Sequence, residues 1–131
     1  MNAPIRLSLV IPCYNEERTL RDCVSRCLAL RERNIDLELV VVDDCSTDNS
    51  LAVARELESE IPGITVVRHE VNKGKGAALR TGFLHATGDY VGVQDADQEY
   101  NPLDYLKLLV PLGEGDADVV YGSRYLRRQT R

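Results

Sequence analysis

No apolar run in this chain approaches the roughly 18 residues that a bilayer-spanning helix needs. Positive charge is also in short supply. Sixteen Lys and Arg face twenty-one Asp and Glu, a formal net charge of −5, which argues against a nucleic-acid partner, whose binding footprint is basic. The four cysteines form no CxxC pair: Cys13, Cys23, Cys27 and Cys45 fall at a strand end, in one predicted helix and in a loop. Cys23 and Cys27 have the spacing of a metal half-site, one helical turn apart. They also lie on the apolar stripe of their helix, where free cysteine packs as a small hydrophobe, and they are read as core. The start, "MNAPIRLSLVIP", lacks a long apolar signal segment with a small-residue cleavage site, which predicts a cytosolic location. No repeat, low-complexity stretch or linker divides the 131 residues, so a single domain over 1–131 is expected. A content of 44% hydrophobic and 28% charged residues suits a globular chain with a real core rather than disorder.

Strand and helix patterns alternate along the chain. "LSLVIP" (7–12) is a short apolar run ending at proline, the pattern of a buried strand. Asn15 is placed to cap a helix in which Leu20, Cys23, Val24, Cys27 and Leu28 keep the helical period. "LELVVVDD" (37–44) has no polar alternation, as expected of a strand covered on both faces. Ser46 or Thr47 is the predicted cap of the next helix, which carries Ala54, Leu57 and Ile61 and stops at Pro62-Gly63. "ITVVRH" (64–69) is a third strand, and "GAALRTGFLHAT" (76–87) a helix closed by Gly88. "YVGVQ" (90–94) is a fourth strand, Asn101-Pro102 opens another helix, and "ADVVYG" (117–122) is a fifth strand. This order predicts an α/β fold: a mostly parallel, Rossmann-like sheet with right-handed crossovers and helices on both faces.

In such sheets ligands bind beyond the C-terminal ends of the strands. Polar clusters fall there one after another: "CYNEE", "DDCSTD", "NKGKG", "DADQE" and "GSR". A loop that only turns the chain has no need of paired carboxylates, so five clusters on one rim predict a single site. In "DADQE", Asp95, Asp97 and Glu99 repel one another unless a cation sits among them. Hard divalent ions take oxygen ligands from one or two carboxylates plus phosphate and water. The competing reading is a solvated turn in which Asp97 or Asn101 caps the next helix. Of the adjacent acids Asp43 and Asp44, the second is favoured for contact with a nucleobase edge or ribose hydroxyl, against a reading in which Ser46 or Asp48 simply caps the next helix. "NKGKG" (72–76) fits neither the Walker pattern nor GxGxxG, because Ala77 and Leu79 stand where Ser/Thr and Gly are required. What is left is either an anion-favouring loop with two cations, Lys73 and Lys75, at a helix N-terminus, of which Lys73 is taken as a binding residue, or a solvated basic turn. Arg124 lies just past the fifth strand, and its fork of donors suits phosphate. Arg127, Arg128 and Arg131 are read as a solvated end, and His69 and His85 as structural.

With these clusters in hand, the sequence resembles the family 2 glycosyltransferases of the GT-A fold. The resemblance rests on "LVIPCYNEE", "ELVVVDDCSTDNS", "NKGKGAALRTGFLHATGDYVGVQDADQEYNP" and "ADVVYGSRY", nearly the whole chain. Within the family it is most similar to the dolichol-phosphate mannosyltransferase and polyprenyl-phosphate glycosyltransferase branch. That branch moves a sugar from a nucleotide-sugar (UDP- or GDP-linked) to a polyprenyl phosphate at the cytosolic membrane face, with inversion. The resemblance implies that Pro12, Tyr14 and Glu16 hold the nucleoside, and that Val42 and Asp44 contact the base. Asp95, Ala96 and Asp97 lie beside ribose and diphosphate, Asp97 and Glu99 ligate Mg²⁺ or Mn²⁺, and Arg124 faces the donor phosphates. Relatives often carry Gln where this chain has Glu99. No catalytic base is assigned, since a phosphate acceptor is already ionised near neutral pH. The acceptor implied is polyprenyl phosphate or a glycan, with peripheral membrane association through segments that follow "GSRY" in relatives. The chain is accordingly expected to be the donor-binding part, binding nucleotide while turning it over poorly alone. A non-catalytic nucleotide-sugar-binding module is the alternative. A response-regulator receiver, similar in length and alternation, is excluded: "CYNEE", "EVNKG" and "GSR" stand where it needs an acidic pair, a phosphorylatable Asp and a Lys.

Overall fold

The computed structural model describes residues 4–96 together with the strand segments Val119–Val120 and Tyr125–Arg127. Strands β1 (Ile5–Cys13), β2 (Ile35–Asp43), β3 (Ile64–Arg68) and β4 (Tyr90–Val93) alternate with helices α1 (Leu20–Leu28), α2 (Ser50–Glu60) and α3 (Lys75–His85). A 3-10 turn over Ala29–Arg33 follows α1, and strands β5 (Val119–Val120) and β6 (Tyr125–Arg127) complete the sheet. The strand order is β3-β2-β1-β4-β6-β5. The pairings of β1 with β2, β1 with β4 and β2 with β3 are parallel. Strand β6 runs antiparallel to both β4 and β5. Among the described residues no helix is long and apolar enough to cross a membrane.

The central strands bury both faces, which is why they read as unbroken apolar runs rather than alternating ones. Leu7, Leu9 and Ile11 of β1 and Leu37, Leu39 and Val41 of β2 pack with Leu20, Cys23, Val24 and Cys27 of α1 and Ala54 and Leu57 of α2. The intervening residues Val10, Val40, Val42 and Val91 face the other way, onto Ala78 and Ala86. This second layer is thin because α3 sits close to the sheet. A Cβ on Gly82 would collide with Val10, so glycine is required for that approach. Cys23 and Cys27 are buried core residues, as expected from the stripe they occupy. The hydrogen bond between them, together with burial, raises the Cys27 thiol pKa and leaves Cys23 the lowered partner.

The helix ends depart from expectation. Asn15 does not cap α1. It adopts a positive φ of 54° and its Oδ1 accepts hydrogen bonds from Thr47 N (2.8 Å) and Asp48 N (3.3 Å). Helix α1 instead starts after Thr19, whose hydroxyl donates to Glu16 Oε2 at 2.9 Å. Neither Ser46 nor Thr47 caps α2. The Ser46 hydroxyl donates to Asp43 Oδ1 (2.6 Å), while Asp48 Oδ1 accepts from Ser50 N (2.8 Å) and Ser50 Oγ (2.6 Å) at the true start of the helix. Gly88 is not the terminator of α3, which ends at His85 with Ala86 already extended. Glycine is needed at 88 because a Cβ there would lie 2.8 Å from Ser8 N and 2.9 Å from Arg6 O of β1. Of the basic residues after Arg124, Arg127 belongs to β6, while Arg128 and Arg131 lie outside the described residues. Long-range antiparallel pairing creates this three-residue strand, which is too short to show a period. The expected helix at Asn101-Pro102 lies outside the described residues.

Candidate functional site

The strand order reverses between β1 and β4: the chain builds outward from β1 to β3 and then returns to β1's other side. A parallel sheet leaves a crevice above the strand ends at such a point. Here it holds a cleft of about 370 Å³ lined by Pro12, Tyr14 and Glu16 after β1, Asp44 after β2, Gly74 and Lys75 at α3, and Asp95 and Ala96 after β4. Four of the five polar clusters therefore meet in one place. The fifth, with Arg124, lies outside the described residues, as do Asp97 and Glu99.

The walls are tied together before any ligand enters. Asn15 N donates to Ser46 Oγ (2.9 Å) and Glu16 N to Ser50 Oγ (2.7 Å), stitching the loop after β1 to the loop after β2. Asp44 N donates to Cys13 O at 2.9 Å, closing the two strand ends. The adjacent acids divide the work. Asp43 accepts from Ser46 N (3.1 Å) and Ser46 Oγ (2.6 Å) and so folds its own turn. Asp44 reaches across to the third loop: Oδ1 accepts from Lys73 N (2.9 Å) and from His69 Nδ1 (2.8 Å), and Oδ2 from Gly74 N (2.9 Å). Burial alone would raise the Asp44 pKa, but these hydrogen bonds outweigh it and hold the carboxyl below its ordinary value.

Lysine placement differs from the sequence reading. Lys73 serves through its backbone N–H, while Lys75, in the first turn of α3, sends its ammonium into the cleft, where Nζ lies 2.6 Å from Asp95 Oδ1. Both lysines were read as cations of this helix start, and only Lys73 was named as a binding residue. A helix start after Gly74 would have marked Lys75, because the first helical turn faces the strand ends. Val42 does not reach the cleft: it is fully buried between β2 and α3. Tyr14, by contrast, stands 45% exposed at the rim, an aromatic face open to a planar ligand. Cys13 also borders the cleft, but burial pushes its thiol up to about 12, so it is not a nucleophile near neutral pH. Among the described residues no three His, Cys, Asp or Glu side chains group as a metal site.

Comparison with known proteins decides the family. The description "Glycosyl transferase family 2" matches residues 8–131. This chain belongs to that family. It is 37% identical over 123 residues to a dolichol-phosphate mannosyltransferase of Pyrococcus furiosus, covering 94% of this chain and 34% of the relative. It is 36% identical over 136 residues to an undecaprenyl-phosphate 4-deoxy-4-formamido-L-arabinose transferase of Sodalis glossinidius, covering 99% and 41%. Among solved structures, the Pyrobaculum calidifontis mannosyltransferase PcManGT, in complex with GDP-Man and Mn²⁺, superposes with a TM-score of 0.73 at 30% identity, covering 88% of this chain and 34% of that one. The fold is thus GT-A, and the family 2 chain spans between a third and a half of the length of these relatives.

Proposed function

We propose that the cleft binds the nucleoside diphosphate of a nucleotide-sugar, and that the protein to which this domain belongs transfers the sugar to a polyprenyl phosphate with inversion. The carrying observation is the convergence of Tyr14, Asp44, Lys75 and Asp95 in one cleft at the switch point between β1 and β4. Both curated relatives named above are polyprenyl-type phosphate sugar transferases. Asp44 is buried beside the cleft and suits a base or ribose N–H or O–H. Tyr14 offers a stacking face, and Lys75 brings a cation to where a diphosphate would lie above the first turn of α3.

A divalent ion, Mg²⁺ or Mn²⁺, fits the donor set by chemistry. The sequence beyond Asp95 and Ala96 supplies hard oxygen ligands at Asp97 and Glu99 and no softer donor. When bound, the ion would neutralise charge developing on the diphosphate leaving group. Asp97 and Glu99 would hold it, and Arg124 would face the same phosphates. The chain's own part is to bind and orient: Asp44 and Tyr14 fix the nucleoside, and Lys75 exchanges Asp95 for phosphate oxygens. The acceptor phosphate oxygen attacks the anomeric carbon from the face opposite the leaving diphosphate, and being ionised it needs no protein base. A calorimetric panel of UDP, GDP, CDP and dTDP with Mg²⁺ or Mn²⁺ tests the reading. Saturable binding of at least one nucleotide supports it, and heat of dilution alone from all four refutes it.

A further inference from the structure

Two residues outside every expected binding role complete the Asp44 network. His69 stands one residue past the end of β3 and is 7% exposed. Its Nδ1 lies 2.8 Å from Asp44 Oδ1, and its Nε2 lies 2.8 Å from Thr81 Oγ1 on α3. Its backbone N–H donates to Asp43 O at 2.8 Å, which fixes the ring's origin on the sheet. An ionised carboxylate only accepts, so Nδ1 must carry the proton of the shared bond. The Thr81 hydroxyl, able to donate or accept, then completes Nε2. The chain of contacts runs from α3 through the imidazole to Asp44, and on to the backbone that starts α3.

A carboxylate has about four lone-pair positions. Among the described residues, three are filled at Asp44: two on Oδ1 by His69 and Lys73 N, and one on Oδ2 by Gly74 N. One position on Oδ2 is left, on a residue that borders the cleft. We infer that His69 is a positioning residue for the donor cleft: it locks the Asp44 carboxylate so that the 72–74 backbone stays pinned and a single Oδ2 position is presented to the nucleoside. This rests on the nucleotide-binding reading of the cleft. Without the imidazole, Oδ1 loses its side-chain donor, the carboxylate is held only by the Lys73 and Gly74 N–H groups, and the loop that leads into Lys75 loses a fixed anchor.

The side chains that replace His69 separate positioning from simple filling of space. Asparagine places an amide N–H near the Nδ1 position and can still donate to Asp44. Glutamine places it near Nε2, toward Thr81, and alanine offers nothing. The experiment measures UDP and GDP binding with Mn²⁺ by calorimetry in wild type, His69→Asn, His69→Gln, His69→Ala and Thr81→Val. Exchange of the Lys73 and Gly74 amides is followed by NMR in the nucleotide-free chain. The expected order is wild type close to His69→Asn, with Thr81→Val slightly weaker, and His69→Gln and His69→Ala weaker by about tenfold or more. Amide protection of Lys73 and Gly74 should fall in the same order. Asparagine behaving like alanine, or unchanged protection in His69→Ala, would overturn the assignment. If wild type binds none of UDP, GDP, CDP and dTDP, the functional reading fails, and the exchange order alone decides the role of His69. If the alanine and glutamine variants do not fold, wild-type-like protection in His69→Asn supports the inference and its loss refutes it.

Discussion

Lys75 Nζ lies 2.6 Å from Asp95 Oδ1 and so joins the first turn of α3 to the end of β4 across the mouth of the cleft. The partners are unequal, with Lys75 55% and Asp95 7% exposed. Solvent around the ammonium screens the pair, so its contribution to stability is about 1 kcal/mol or less. Lys75→Met should lower urea stability by that amount, and a double-mutant cycle with Asp95→Asn should recover it as coupling. The same variant should bind nucleoside diphosphate about tenfold more weakly while free nucleoside is little affected, since the cation is assigned to phosphate. Equal losses for nucleoside and diphosphate would place Lys75 against the base instead.

The hydrogen bonds at Asp44 predict an acid-side stability loss. Its folded pKa is depressed by the Lys73 and Gly74 N–H groups and His69, against the opposing effect of burial. The unfolded state therefore binds its proton first, at a pKa of about 3.9. The resulting stabilisation is fully present above that value and disappears as pH falls through the folded pKa. Asp48 is shifted the same way, with burial opposed and outweighed by hydrogen bonds from Ser50, and adds to the slope. Thermal melts between pH 2 and 6 should show wild type losing stability steeply at the acid end and Asp44→Asn losing less. Parallel curves for the two proteins would show that Asp44 has no such shift.

Gly82 and Gly88 make tight approaches of different kinds, and substitution should tell them apart. A Cβ at Gly82 meets the side chain of Val10, whereas one at Gly88 meets Ser8 N and Arg6 O of the β1 backbone. Either alanine variant should cost about 1–3 kcal/mol by overpacking. Val10→Ala should relieve much of the Gly82→Ala penalty, because the clashing methyls are gone, and none of the Gly88→Ala penalty. Chemical denaturation of the three single variants and the two pairs reads this directly.

Much of this architecture was legible in the sequence because burial on both faces leaves a strong mark. The valine run of β2 and the stripe of Leu20, Cys23, Val24 and Cys27 indicated their elements without ambiguity. The caps were only partly legible: Asp48, one of the candidates read for α2, does bond the helix start, but Asn15 does not cap α1. Asn15, Ser46 and Asp48 each have the chemistry of a cap, and spacing cannot say which will instead bond a neighbouring loop. The cleft was legible as a rim of polar clusters, but its inner network was not. Asp44 and His69 are 25 residues apart, and only the β2–β3 register, with Asp43 opposite Arg68, makes them the next pair beyond the ladder. An alignment of strand ends by register rather than by length would have found that pair. The choice of Lys75 over Lys73 likewise waited on where α3 begins.

The acidic sequence after β4 predicts a metal requirement. Asp95 already carries a lysine partner at the cleft, and Asp97 and Glu99 follow it in sequence within four residues, next to a cleft proposed to hold a diphosphate. Bringing two more charges of the same sign there is unfavourable unless a cation intervenes. Nucleoside diphosphate binding should therefore require Mg²⁺ or Mn²⁺ and fall strongly on chelation. Asp97→Asn should lose that metal-dependent increment while keeping the wild-type melting temperature in the absence of ligand. Free nucleoside, which carries no phosphate, should bind equally with and without the ion. Calorimetry of one nucleotide and its nucleoside, each in Mn²⁺ and in EDTA, gives four numbers that decide the matter. Equal diphosphate affinity in the two buffers would mean that Lys75 suffices without an ion, and would favour the solvated-turn reading of Asp97 and Glu99.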